Sequence, residues 1–211
     1  MSTTIALDYL VQQSHPDWIG LSADLLELGR RSRHGQRFLA HRCKATFGRN
    51  GGSSSRDNAS LRSETDQNSF NLILKVSAKQ WHRLAIEIGA HRYAPIIKQT
   101  IAREEVQWLK SVLDEPLYRE VLSSPGKLII CSEPIALDRA VQSLTQEHFL
   151  SHGAALILAH LKEQDEFSSG YVACTFPRSQ VDTSNCRIDR TQFETRLQHL
   201  IQITKKSGEQ S

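Results

Sequence analysis

Along most of the chain, apolar residues recur every three or four positions, the spacing of a helix with one buried face. Thr4 to Gln13 carries Leu7, Leu10 and Val11 in this pattern. It stops at Ser14-His15-Pro16, because proline disfavours helical geometry in the residue before it. Asp17-Trp18-Ile19-Gly20 reads as a turn with two apolar anchors, and Ser22 as the N-cap of a helix bearing Leu25, Leu26 and Leu28. Phe38, Leu39 and Cys43 then form the apolar side of a short helix whose arginines stay solvated. Arg49 to Asn58 is Gly/Ser-rich and polar, so residues 48–68 read as a flexible loop with too little apolar surface to offset its chain entropy.

From Phe70 the pattern sharpens. Ser77-Ala78-Lys79-Gln80 has the form of a capping box, followed by Trp81, Leu84, Ala85 and Ile88 on one helical face, with Gly89 as a left-handed stop. Pro95 opens a helix with Ile96, Ile97 and Ile101; Val106, Leu109, Val112 and Leu113 mark another; Pro116 opens a fourth with Leu117, Tyr118, Val121 and Leu122. Leu128 to Cys131 fits a buried strand or a helix edge equally. Pro134 opens a helix to Leu144, and Thr145 caps one from Gln146 to about Lys162. Tyr171 to Phe176 is β-prone, residues 177–190 are polar and irregular, and Phe193, Leu197, Leu200 and Ile201 define a last amphipathic helix. The expected fold is mainly α: a compact multi-helix domain with at most a short strand or extended segment near 171–176. Its parts are an N-terminal helical segment (1–47), the loop (48–68), a helical core (69–204) and a disordered tail (205–211).

Composition adds an asymmetry of charge. Residues 30–56 hold eight Lys or Arg and no acid, within a chain of net charge +3, which leaves a net −5 for the rest. Arg30, Arg31, Arg33, Arg37, Arg42 and Lys44 therefore mark either a solvated face with no partner or a local electrostatic contact for an acidic protein or an anionic membrane face. Nucleic acid is the rival partner, but Phe38 and Phe47 are the only aromatics there and no recognition signature accompanies them. The apolar stretch Gly153 to Ala159 is far short of a membrane span, and the first residues lack a secretory leader. No pair among Cys43, Cys131, Cys174 and Cys186 has CxxC spacing, so reduced thiols in a cytoplasmic protein are expected, with Cys174 in the core.

Catalytic templates fail. The chain has no P-loop, no G-x-G-x-x-G and no G-x-S-x-G. His148 and His152 lie four apart on a predicted helix and would supply half of a zinc site, with His160 rotated partly off that face. Solvated or interfacial histidines are the simpler account, so no catalytic residue, metal ligand or cofactor is assigned. A metal-dependent enzyme or regulator built on the pair is the alternative. Glu104-Glu105, Asp114-Glu115 and Asp165-Glu166 sit near helix starts, where negative charge is favourable. Trp81 and Trp108 are expected in the core.

The run Trp81-x-x-Leu84, Ile88-Gly89, Ile96-Ile97, Ile101, Val106, Leu109, Leu113-Asp114-Glu115, Leu117-Tyr118 and Val121-Leu122 resembles the K subunit of the type III secretion sorting platform, the SctK/YscK family. His15-Pro16-Asp17-Trp18-Ile19 and Phe149 to Leu161, with the extended stretch ending at Phe176-Pro177, resemble other parts of it. Asp114 departs from the glycine common in that family, as does the basic, Gly/Ser-rich region at 30–68. The resemblance implies a non-enzymatic cytoplasmic adaptor, peripheral to the inner membrane. Its partners would be the cytoplasmic domain of the inner-membrane ring protein and the Q-type pod subunit.

Overall fold

The structure, a computed structural model, describes residues 3–47, 73–124, 128–131, 141–164, 166–178 and 186–208. The expected loop at 48–68 falls outside these, as do residues 134–140 of the helix expected from Pro134 to Leu144; its described end, Val141–Ser143, is a 3-10 turn. Among the described residues the chain is mainly helical. In order, the elements are α1 (Thr3–Gln13), α2 (Pro16–Ile19), α3 (Ala23–Arg31), α4 (Arg33–Phe47), α5 (Ala78–Arg92), α6 (Ala94–Gln99), α7 (Arg103–Leu113) and α8 (Glu115–Ser123). Then come β1 (Ile129–Cys131), a 3-10 turn (Val141–Ser143), α9 (Gln146–Gln164), α10 (Glu166–Ala173), β2 (Cys186–Ile188) and α11 (Arg190–Gly208). No helix among the described residues is long and apolar enough to cross a membrane.

Local chemistry accounts for many of the boundaries. The Ser22 hydroxyl accepts from the Leu25 N–H at 3.4 Å, and the Asp114 carboxylate accepts from the Leu117 N–H at 2.9 Å. The capping box closes in both directions: the Ser77 N–H donates to Gln80 Oε1 at 2.8 Å, and the Gln80 N–H to the Ser77 hydroxyl at 3.4 Å. Thr145 Oγ1 likewise receives the His148 N–H at 3.2 Å.

One compact unit comprises Met1–Trp81 and Leu161–Arg178. Its apolar core joins Leu10, Val11, Ile19, Leu26, Leu39, Cys43 and Cys174. Polar ties surround that core. The indole of Trp81 donates to the Tyr9 hydroxyl at 3.1 Å, which donates in turn to the Val76 carbonyl at 3.2 Å. The His15 N–H reaches the Cys174 carbonyl at 2.7 Å, and the Trp18 indole reaches the Phe176 carbonyl at 2.8 Å. Tyr171 to Ala173 is therefore the end of α10 and residues 174–176 a turn, not the β-prone segment expected. Packing of Tyr171 and burial of Val172 and Cys174 override the local propensity.

The other unit comprises His82–His160 and Ser179–Ser211. Ala90, Tyr93, Ile97, Leu109, Leu113, Tyr118, Val121, Leu144 and Phe149 form its core. Gly89 lies inside α5 rather than ending it. A Cβ there would overlap the carbonyl of Phe149, and one on Gly153 would overlap that of Ala85, so these two glycines let the α5 and α9 backbones touch. Ile101 follows α6 and is 92% exposed, outside the apolar face assigned to it. Trp108 is also at the edge, its indole donating to the Leu144 carbonyl at 3.1 Å. Residues 186–188, expected to be irregular, pair antiparallel with β1 in the register Ile129↔Ile188, Ile130↔Arg187 and Cys131↔Cys186. That register sets Cys131 opposite Cys186 in a disulfide, which corrects the expectation of four reduced thiols.

Candidate functional site

Of the six basic residues marked by the sequence, two turn inward. Arg30 donates from Nε to the Val11 carbonyl at 3.0 Å and from Nη2 to the Ser14 carbonyl at 2.7 Å, while Nη1 pairs with Glu27 at 2.7 Å. Arg42 donates from Nε and Nη2 to the Ile19 carbonyl at 3.2 and 2.9 Å. Both guanidiniums satisfy carbonyls that the ends of α1 and α2 leave unpaired. They are structural.

Arg31, Arg33, Arg37 and Lys44 are exposed, together with His34 and His41. Helix α4 has no acid, and its first turn places Arg33 and His34 where the helix dipole disfavours positive charge. The Ser32 hydroxyl offsets part of this by capping the Gly35 N–H at 2.9 Å. Exposed apolar side chains accompany the charge: Leu25 is 55%, Leu28 65% and Phe38 51% accessible. The α3–α4 hairpin thus combines exposed cations that form no ion pair among the described residues with exposed apolar side chains, a composition suited to docking.

The structure does bring His148 and His152 together, with ring centroids 4.5 Å apart. It adds a residue that sequence reasoning missed. The hydroxyl of Tyr93 lies 3.0 Å from Nε2 of His148 and 3.4 Å from Nε2 of His152. Burial first, then the charges of Arg92 and His148, lower the His152 pKa to about 4, so this imidazole is neutral at physiological pH. Burial also raises the pKa of Tyr93. His160 is apart from this group and packs its ring on Phe193 at 4.8 Å.

A second polar cluster joins Glu87, His91 and Glu120, whose ligand-type atoms lie within 4.8 Å of one another. Arg196 from α11 already provides the cation: its guanidinium pairs with Glu87 and, at 2.8 Å, with Glu120. Its Nη2 donates to His91 Nε2 at 3.4 Å. Burial, then Lys98, lowers the His91 pKa to about 4, leaving the ring a neutral acceptor for that guanidinium. This cluster fastens α11 to α5 and α8. Cys43 and Cys174 are buried free thiols, and burial raises the pKa of Cys174 to about 12, so it stays protonated and inert as a nucleophile. No family model, curated protein or solved structure matches the chain.

Proposed function

We propose that this chain is a non-enzymatic adaptor of a bacterial type III secretion system. It would work in the cytoplasm, peripheral to the inner membrane, linking the inner-membrane ring protein to the Q-type subunit of the sorting platform. The observation that supports the docking role is the α3–α4 hairpin, where Arg31, Arg33, Arg37 and Lys44 are exposed and so are Leu25, Leu28 and Phe38. The specific setting rests on the resemblance of the 81–122 helical run and the Phe149–Leu161 helix to the K-subunit family. An acidic partner surface would complement the hairpin, giving fast, salt-sensitive association.

Co-expression with the ring protein's cytoplasmic domain and the Q-type subunit, followed by affinity purification, tests the reading. Both should co-purify with the chain. Changing Arg31, Arg33, Arg37 and Lys44 together to Glu should reduce recovery of at least one partner by tenfold or more while leaving the circular dichroism spectrum intact. Recovery of neither partner with the unaltered chain would refute the adaptor assignment.

A further inference from the structure

We propose that Tyr93, His148 and His152 form a binding site for a divalent transition-metal ion of the zinc or copper class, independent of the adaptor reading. Three donor atoms from α9 and the turn after α5 converge here. A tetrahedral ion with bonds of about 2.0–2.1 Å holds its ligand atoms about 3.3 Å apart. The two spacings from the Tyr93 oxygen, 3.0 and 3.4 Å, bracket that edge length. Imidazole nitrogen is the donor that zinc and copper favour, and a helical i, i+4 pair presents two of them on one face.

Proton accounting describes the site without metal. The tyrosine hydroxyl has a single proton, so it can donate to only one of the two facing nitrogens. If it donates to His148, His152 must either donate its own Nε2 proton or turn a second lone pair towards the same oxygen. The first tautomer leaves Nδ1 of His152 as a bare buried acceptor, and that atom has no hydrogen-bond partner among the described residues. The second sets two lone pairs against each other. The first pattern, or its mirror with His148 as the N–H donor, satisfies the three convergent atoms; a metal ion that replaces it takes both nitrogen lone pairs and the oxygen, with the proton of His152 on Nδ1. On binding, the Tyr93 O–H bond breaks, its proton passes to solvent, and the phenolate oxygen bonds to the metal.

Arg92 is near enough for its charge to act on His152, so a bare dication is opposed there. The phenolate supplies one compensating negative charge, and a fourth position remains for water or a small anion. This separates the site from Glu87, His91 and Glu120, where the Arg196 guanidinium already lies between the carboxylates. His148 and His152 are both half-buried.

The test uses the full chain, stripped of metal and titrated separately with zinc sulfate and copper sulfate. Calorimetry and elemental analysis should report one bound equivalent. His148→Ala and His152→Gln should each weaken zinc binding at least tenfold. With copper, the unaltered protein should develop a visible phenolate-to-metal charge-transfer band that Tyr93→Phe removes. Because these side chains border the core, thermal melts without metal establish that each variant folds. Tyr93→Phe, which deletes one oxygen, keeps the spectroscopic test intact if a histidine variant does not fold. Zinc should raise the melting temperature of the unaltered protein and not that of His152→Gln. Absence of stoichiometric binding would overturn the site, as would copper binding with the same spectrum in Tyr93→Phe. So would loss of binding in Glu87→Gln with full binding in the histidine variants.

Discussion

At the scale of single residues, the same substitution carries opposite signs at different positions. Alanine is a better helix former than glycine by about 1 kcal/mol, so Gly→Ala inside a helix should stabilise wherever a methyl has room. Gly170 in α10 has open space around its Cβ direction. Gly89 and Gly153 instead face the Phe149 and Ala85 backbones, which cannot rotate away as a side-chain tip can. Gly170→Ala should raise stability by about 0.5–1 kcal/mol, whereas Gly153→Ala should lower it by about 1–3 kcal/mol as the helices are forced apart. Chemical denaturation of the two variants checks both signs, and a stabilised Gly153→Ala would mean the close approach is absent. From sequence Gly89 fits a helix stop as well as a helix interior, because glycine serves both roles. Nothing local to Ile88-Gly89-Ala90 announces that a second helix crosses there.

Among the elements, those whose cause is local were legible. The reciprocal cap of Ser77 and Gln80, the Ser22 and Thr145 caps and the buried face of α11 follow from neighbouring residues and from period alone. Roles set by distant chain were not. Arg30 and Arg42 look like Arg31 and Arg37 in the sequence, yet the first two point at carbonyls 16 to 23 residues away. Tyr93 is 55 residues from His148, and the α5–α9 crossing brings them together, so the histidine pair was visible in the sequence and its third partner was not. The inward and outward arginines should separate in experiment. Arg30→Ala removes charged hydrogen bonds from part-buried carbonyls and should cost about 1–3 kcal/mol. Arg31→Ala and Arg37→Ala should stay within about 0.5 kcal/mol, and Arg33→Glu should gain a few tenths by matching the dipole at the start of α4. Urea melts of the four variants decide it; equal losses at Arg30 and Arg37 would remove the distinction between inward and outward cations.

For the molecule as a whole, the Cys131–Cys186 bridge ties stability to compartment. A ladder of three residue pairs is too short to hold itself together, so a covalent link matters more here than in a broad sheet. Closing a loop of sequence separation 55 removes unfolded-state entropy worth about 4 kcal/mol in the chain-entropy account. Purified under air, the protein should melt well above its reduced form. Cys131→Ser should melt like the reduced protein and ignore added reductant, because the other thiols, Cys43 and Cys174, are buried and take no part. The same bond reports on location. Glutathione and thioredoxin keep cytosolic cysteines reduced, so an adaptor working in the cytoplasm should carry Cys131 and Cys186 as thiols, adjacent and ready to close on oxidation. Alkylating cells before lysis, then comparing the mobility of the chain with and without reductant, distinguishes the states. Two alkylated cysteines at 131 and 186 agree with a cytoplasmic adaptor that has the weaker, reduced stability in service. A bridge already closed in untreated cells would place the chain in an oxidising compartment and remove the cytoplasmic setting on which the type III secretion proposal depends.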